Sequence, residues 1–306
     1  MNTISRGCIA LICAALFGLA ARAQGPSPGP AADETKKAFD EAHQAAQAGP
    51  IDLPLAGQGV LKLPAGHAFV PQPQAGRLLH AMGNPGQDPK LLGLIFPQSR
   101  NEDSGWFMTV RFEDSGYIKD DDARDWNADE LLKNYREGTD ASNDERKAMG
   151  VPAIEVLGWA EKPAYDAATH RLQWAMSSRE KGAPASEPQS VNYNTYMLGR
   201  DGYFTLNLVT GLAQLPEHKP AAHSMLAALG FNEGKRYADF NSSTDRVAEY
   251  GLAALVVGVA AKKLGLIAMG GLFFAKFAKV ILLGFAVVGA GAAKFFKRRK
   301  KDSAAP

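Results

Sequence analysis

An aspartate and a histidine four residues apart, Asp166 and His170, are the first residues whose types and spacing suggest chemistry; they lie in the stretch PAYDAATH. A carboxylate that orients an imidazole is an arrangement used in general-base catalysis. The same stretch is also typical of a turn between two strands, in which the aspartate accepts hydrogen bonds from its own backbone. Because no serine or cysteine nucleophile stands beside the pair, the turn is the favoured interpretation and catalysis is the alternative.

An acidic run, Asp120, Asp121 and Asp122, offers carboxylate oxygens of the kind that bind divalent cations. The run lacks the spacing and the central glycine of an EF-hand loop. Carboxylates are also favoured ahead of a helix N-terminus, and a solvated loop that leads into a helix accounts for the run. We therefore predict no metal site, with these three residues as the candidate ligands if one exists, and no cofactor.

The string Asn192 to Tyr196 alternates asparagine with tyrosine and threonine, and Arg200 follows it. On a strand, Asn192, Asn194 and Tyr196 share one face. Asparagines on an exposed sheet face could bind a sugar or a peptide backbone, and these residues with Arg200 are the candidate binding site. The alternative is that the tyrosines pack against covering helices and that Arg200 only forms the tip of a hairpin.

The elements that must position these residues alternate between hairpins and helices. Residues 33–48, 74–82, a segment that starts at Asn127, and 220–229 read as helices, whereas 106–112, 154–160, 171–176, 191–198 and 203–209 read as strands. The strings GVLKLP and HAFVP predict a further hairpin that turns at Ala65-Gly66. Strands joined by hairpins, with helices inserted at intervals, predict an α+β fold with an antiparallel sheet and covering helices.

The start of the chain resembles a cleavable leader. Arg6 precedes an apolar run from Gly7 to Ala21, and Ala23 provides a small residue at the cleavage site. The run is shorter than the roughly 20 residues that cross a bilayer, so a signal peptide over 1–23 is favoured over an uncleaved anchor. A Pro/Gly linker over 24–32 and an exported domain over 33–240 then follow.

Both cysteines of the chain, Cys8 and Cys13, lie within the leader. The mature chain therefore has no cysteine. Disulfides, thiolate catalysis and cysteine-ligated zinc are excluded for it.

The end of the chain contains an apolar block. Residues 272–293 number 22, about 33 Å of helix, which suffices to cross a bilayer core of about 30 Å. We predict that they form a transmembrane helix, preceded by a juxtamembrane or interfacial helix within 241–271 and followed by a basic cytoplasmic tail over 294–306. A two-helix hairpin is the alternative. Small residues such as Gly284 and Ala290 could let this span associate with itself or with another membrane protein.

The charges divide sharply along the chain. Residues 24–261 hold 22 basic and 31 acidic residues, a net charge of −9, whereas residues 262–306 hold 10 basic and 1 acidic, a net charge of +9. The positive-inside bias predicts an inner-membrane protein with most of its chain periplasmic and its C-terminus cytoplasmic. An acidic exported domain argues against nucleic acid as a partner, because phosphate recognition needs clustered lysine and arginine.

Five strings in this order resemble a family: SGYIKDDDA, NDERKAMG, GWAEKPAYDAATHRLQWA, VNYNTYMLGRDG and GKRYADFNSSTDRVAEYGLAALVVG. Together they resemble a bacterial family of uncharacterised membrane-anchored proteins, the domain-of-unknown-function family numbered 2167, over residues 58–300. The resemblance implies an exported, membrane-anchored domain. It implies no established reaction, ligand or catalytic residue.

Two functions remain open from the sequence. The favoured one is a membrane-anchored envelope domain, more a binding protein than an enzyme, that binds a partner protein or an envelope component. The alternative is an envelope hydrolase that uses histidine and carboxylate side chains. A pocket that brings Asp166 and His170 within about 3 Å of a serine, a threonine or a further carboxylate would favour the hydrolase.

The charge split yields a topology prediction. Alkaline phosphatase fused after Pro306 is expected to be inactive, because the basic tail holds the C-terminus in the cytoplasm. The same enzyme fused after Phe240 should be active. Activity of both fusions would replace the single span by the two-helix hairpin.

Overall fold

The structure is a computed structural model, and it describes residues 30–84, 88–98, 105–124, 126–148 and 150–258. A compact unit begins at Ala38. The predicted signal peptide, the transmembrane helix and the basic tail lie outside the described residues. Within the described part of the chain, no helix is long and apolar enough to cross a membrane.

The helices of the described residues are α1 (Pro30–Ala45), α2 (Gln74–Ala81), α3 (Ala128–Ala148), α4 (Leu215–Ala228) and α5 (Leu252–Val257). The strands are β1 (Gln47–Ala48), β2 (Ile51–Leu55), β3 (Gly59–Leu63), β4 (His67–Pro71), β5 (Leu91–Pro97), β6 (Phe107–Glu113), β7 (Ile154–Asp166), β8 (Arg171–Glu180), β9 (Ser190–Leu198), β10 (Tyr203–Gly211) and β11 (Leu229–Phe231). Single 3-10 turns occur at Asp121–Arg124 and Tyr237–Asp239.

The strands form two antiparallel sheets. The larger has eight strands in the order β1-β4-β5-β6-β10-β9-β8-β7, and the smaller has three in the order β11-β3-β2. Hairpins join β7 to β8 and β9 to β10, as their alternating patterns predict. The predicted α+β class, with an antiparallel sheet and covering helices, is confirmed for the described residues.

The predicted hairpin of β3 with β4 is wrong. β3 pairs with β2 and β11 in the smaller sheet, whereas β4 pairs with β1 and β5 in the larger one. The short turn at Ala65-Gly66 carries the chain from one sheet to the other, and Gly66 there has a φ of +79°. An alternating strand pattern indicates which side chains are buried but not which strand lies alongside.

One face of the large sheet packs against α4 and the smaller sheet. Every second residue of β6 and β10 contributes to this layer, because side chains alternate across a strand. α4 adds Ala222, Met225 and Leu226, and the smaller sheet adds Leu61 and Leu63. The sheet residues of this core include Met108, Val110, Phe112, Phe204, Leu206 and Leu208.

Two separate clusters of helices cover the opposite face. The first helical cluster packs Phe39 of α1 and Leu78 of α2 against β4, β5, Phe107 and Val209. The second helical cluster packs α3 and α5 against β8 and the neighbouring ends of β9 and β10. Its buried sheet residues are Val156, Leu172, Trp174, Met176, Leu198 and Tyr203.

α3 also protects the edge of the large sheet. Its start is capped by Asn127, whose Oδ1 accepts hydrogen bonds from the backbone of Asp129 and Glu130, as the sequence predicts. Further along α3, Asn143 bonds both the N–H and the C=O of Ile154 at 2.8 and 2.9 Å. Arg136 donates to carbonyls of the same strand, β7. These side chains occupy backbone groups that an edge strand would otherwise offer to another chain.

The C-terminal segment, residues 232–251, contains no α-helix, although a juxtamembrane or interfacial helix is expected within 241–271. It crosses the end of the sheet as extended chain and turns, with a parallel bridge between Tyr117 and Val247. Helix starts only at Leu252 in α5, and its apolar side chains Leu252, Leu255 and Val256 are buried in the second helical cluster. The core of the domain therefore continues past the expected boundary at residue 240.

Asp122 holds the start of α5, which yields a stability prediction. Its two carboxylate oxygens accept hydrogen bonds from the backbone N–H groups of Leu252 and Ala253, each at 3.0 Å. A Cβ at Gly251 would lie 2.6 Å from the Asp122 carboxylate. Gly251→Ala is therefore expected to lower the free energy of unfolding by about 1 kcal/mol, the size of a lost helix cap, in urea denaturation.

The matched control is Gly158→Ala, because a Cβ at Gly158 meets nothing within 4 Å. An equal loss of stability in both variants would contradict the role of Asp122.

Candidate functional site

A row of polar side chains lies on the helix-covered face of the large sheet, between the two helical clusters. Asn207 of β10 is opposite Thr109 of β6 on one side and Asn194 of β9 on the other. Asn192 lies two residues from Asn194, so it shares that face. We call Thr109, Asn192, Asn194 and Asn207 the amide row. Trp174 of β8, opposite Asn194, stands at its end.

Three polar atoms at the amide row are buried without a hydrogen-bond partner in the described protein. They are Oδ1 of Asn192, Oδ1 of Asn207 and Nε1 of Trp174. Only 2% of Trp174 is exposed, so its indole N–H has lost water as well. An unpaired buried polar group costs roughly 1–3 kcal/mol, and native proteins keep few of them. The row is therefore a place where a bound molecule can supply missing partners.

Solvent reaches part of the amide row. Asn192 and Asn207 are half-buried as whole residues, whereas Asn194 and Thr109 are buried. The terminal torsion of asparagine has a broad energy profile, so a rotation of either half-buried amide can turn its oxygen toward an incoming group. Access and hydrogen-bonding capacity thus coincide at Asn192 and Asn207.

Aromatic rings form one wall of this site. The rings of Trp174 and Tyr196 lie 4.7 Å apart, and those of Tyr196 and Tyr203 are stacked at 5.3 Å. Burial raises the pKa of both tyrosines, so their hydroxyls stay protonated and neutral. The wall supplies apolar surface with polar tips, which is the usual lining of a small-molecule site.

The charged groups beside the amide row are paired with one another. Arg111 donates to the Asp88 carboxylate at 2.5 Å and to the hydroxyl of Thr109. Lys90 lies 3.2 Å from the Glu113 carboxylate. Each pair is neutral as a whole, so these four groups add no net charge to the site.

Asn192, Asn194 and Tyr196, three of the sequence-predicted binding residues, lie on one face as expected. The structure adds Asn207, Thr109 and the Trp174 indole, which sequence reasoning missed. Asn207 sits at an alternating position of the predicted strand 203–209, so its polarity was a visible signal. Its opposition to Asn194 required the strand register.

Arg200, the fourth predicted binding residue, is engaged elsewhere. Its guanidinium forms two hydrogen bonds with the Asp245 carboxylate, at 2.6 and 2.7 Å, and a third with the carbonyl of Gly234. Arg200 therefore ties the β9–β10 turn to the C-terminal segment. This pairing with Arg200, helped by the backbone N–H of Asn241, lowers the pKa of Asp245 well below its usual range.

The predicted pair Asp166 and His170 does not meet. Asp166 accepts hydrogen bonds from the backbone of Ala168 and the hydroxyl of Thr169, which is the turn chemistry that the sequence favours. His170 instead faces Tyr165, with 3.1 Å between Nδ1 and the phenol oxygen.

The phenol of Tyr165 links His170 to a different carboxylate. Tyr165 donates its hydroxyl proton to Asp120 at 2.8 Å, so its oxygen can accept from Nδ1–H of His170. The Tyr165 pKa is raised by burial and by Asp120, which makes the phenol a poor nucleophile at neutral pH. Among the hydrogen bonds of the described residues, His170 meets no serine or threonine hydroxyl. The cluster lacks the nucleophile that an acyl-transfer mechanism needs.

Four rings stacked in a column explain the position of His170. The His170 ring stacks on Tyr237 at 4.0 Å, Tyr237 on Tyr117 at 4.3 Å, and Tyr117 on Phe240 at 3.8 Å. Tyr237 also donates its hydroxyl to the carbonyl of Ile118. Because Tyr237 and Phe240 belong to the C-terminal segment, the column fastens that segment to the end of the sheet.

The three aspartates of the acidic run have different surroundings. Asp120 accepts from Tyr165, Asp122 caps α5, and Asp121 is exposed to solvent. Among the described residues, no group of three or more histidine, cysteine or acidic side chains is placed to hold a metal ion.

The family model for proteins of unknown function, DUF2167, matches residues 45–288, which is most of the chain. The chain belongs to this family. The match covers the amide row, the ring column and α5 of this DUF2167 protein. Its family assigns it no reaction or ligand.

Two further comparisons of the DUF2167 protein concern curated proteins and solved structures. No curated protein matches it. The solution structure of cyanobacterial PsbP (CyanoP) from Synechocystis sp. PCC 6803 is similar to it at a TM-score of 0.35 and 10% sequence identity, over 61% of this chain and 93% of that one.

The Arg200–Asp245 pair yields a prediction for pH dependence. Since the folded pKa of Asp245 is lowered, its contribution to stability is present above its unfolded pKa of about 3.9 and is lost as the pH falls toward the folded value. We expect Asp245→Asn to lower the free energy of unfolding at pH 7 and to flatten its decline below about pH 4. Urea titrations from pH 7 to pH 2.5 measure both effects.

Asp144→Asn is the control. Asp144 is exposed on α3, and its contact with Lys147 is long, at 3.7 Å. If Asp245→Asn kept the wild-type slope of stability against pH, the ion pair would not carry this dependence.

Proposed function

We propose that this DUF2167 protein is a binding domain of the bacterial cell envelope, and that it holds its ligand on the amide row. The observation that carries the proposal is the set of three unpartnered buried atoms, on Asn192, Asn207 and Trp174. Interiors seldom retain such atoms, and functional sites are a recognised reason for those that persist.

The surroundings of the amide row support a binding role. Neutral hydrogen-bonding groups lie beside an aromatic wall, and the described residues contain no metal-ligand cluster. A few placed polar groups within an apolar lining fix the orientation of a ligand. In this proposal the ligand is a component of the envelope, and the protein binds it without catalysing a reaction.

The ends of the chain support an envelope location. In the proposal, residues 1–23 direct export, 272–293 anchor the chain in the inner membrane, and the acidic domain lies in the periplasm. The division of charge, −9 over residues 24–261 and +9 over residues 262–306, supports this orientation. Association through 272–293, with itself or with a membrane protein, is part of the same proposal.

The binding role predicts a conflict between stability and function at Asn207. If its amide serves a ligand, Asn207→Val removes an unpaired buried acceptor and adds a residue that favours strands. We expect the free energy of unfolding to rise by about 1 kcal/mol in the absence of ligand. Chemical denaturation of the full chain in detergent, followed by far-UV circular dichroism, measures the change.

Asn134→Val on the exposed surface of α3 is the matched control. It should be neutral or slightly destabilising, because β-branched residues are poor helix formers. A loss of stability in Asn207→Val that exceeds the loss in the control would show that the buried amide serves the fold, and the proposed binding role would be lost.

A further inference from the structure

The amide row contains both an unpaired hydrogen-bond donor and unpaired acceptors. Trp174 offers a donor without a partner, and Asn192 and Asn207 each offer an acceptor without one. Each amide also carries a nitrogen that donates, as Asn194 does to the carbonyl of Asn192 at 3.2 Å. A ligand that satisfies this set must present donors and acceptors close together. Hydroxyl groups do so, because each one can donate and accept.

The electrostatics of the site favour a neutral ligand. Arg111 is neutralised by Asp88, and Lys90 by Glu113. A charged ligand would lose its hydration here without gaining an unpaired counter-charge from these groups, which is costly in a partly buried place. Anionic and cationic envelope components are therefore poorly matched to the row.

The aromatic wall favours a ligand with apolar faces as well as hydroxyls. Tyr196 is half-buried, and its ring is stacked on that of Tyr203 and tilted against that of Trp174. The C–H face of a sugar ring packs against such a surface while its hydroxyls reach the amides. A small hydrophobic ligand would leave the unpartnered atoms of the row unsatisfied.

A peptide is a poorer match for the position of the row. Sheets recognise extended peptides by adding a strand at an edge, through backbone hydrogen bonds. The amide row lies on the face of the central strands, and the edge strand β7 already has Asn143 and Arg136 of α3 on its first residues. The remainder of β7 contains register shifts between Val156 and Ala164, which interrupt regular pairing.

We propose that the ligand of the amide row is the neutral sugar portion of an envelope glycan, an inference that rests on the binding function proposed above. Its hydroxyls donate to Oδ1 of Asn192 and Asn207. One of its oxygens accepts from the indole N–H of Trp174. Its ring lies along the half-buried ring of Tyr196.

The test uses the indole of Trp174 as its reporter. The full chain, labelled with 5-fluorotryptophan in phosphatidylcholine nanodiscs, gives one fluorine signal for each of its 4 tryptophans, and Trp174→Phe assigns the relevant one. The probes are N,N′-diacetylchitobiose, a neutral disaccharide, and trialanine blocked at both ends, a neutral peptide. Each is titrated to about 10 mM, which detects dissociation constants in the millimolar range.

The disaccharide is expected to shift the Trp174 signal, and Asn207→Val to weaken that binding about tenfold or more, as the loss of one buried hydrogen bond implies. Asn134→Val should bind like the wild type. A shift caused by the peptide and not by the disaccharide would overturn the sugar class while the binding site stands. No shift with either probe would overturn the sugar class as well. A shift that Asn207→Val leaves unchanged would remove the amide row as the site.

Failure of the sugar inference is distinguishable from failure of the proposed function. The proposed function is tested by the stability of Asn207→Val without ligand and by whether Asn207→Val weakens binding, whereas the sugar class is tested by which of the two probes binds.

Discussion

The structure depends on burial of the large sheet on both of its faces. α4 and the smaller sheet cover one face, and the two helical clusters cover the other. The central strands β6, β9 and β10 are consequently buried on both sides. In such strands polar side chains have little access to water, so a buried polar atom without a partner is costly. This constraint gives the amide row its significance, since the same asparagines on an exposed face would be solvated.

The C-terminal segment is joined to the domain by several independent contacts. The ring column, the Arg200–Asp245 pair and the bridge between Tyr117 and Val247 act at different points along it. Asp122 then fixes the first turn of α5. These contacts explain why His170 and Asp122, residue types that suggest chemistry in the sequence, serve instead the attachment of this segment and of α5.

Local patterns predicted much of the fold, and their failures have a common cause. The hairpins β7–β8 and β9–β10 and the cap of α3 at Asn127 follow from interactions within a short stretch of chain. β5 was missed because LLGLIFP is buried on both faces and so lacks the alternation that marks a strand. The assignment of β3 and β4 to different sheets was also beyond local reasoning, because it depends on partners distant in sequence.

The sequence by itself determined the fold class, the family and the shared face of Asn192, Asn194 and Tyr196, because period-2 alternation is a property of the strand alone. Only the tertiary structure decided which residues meet. Strand register placed Asn207 and Thr109 beside Asn194, and the packing of the helices left the Trp174 indole without a partner. The tertiary structure also separates Asp166 from His170 and pairs Arg200 with Asp245. Such pairings depend on the distance between segments far apart in the chain, which no local pattern encodes.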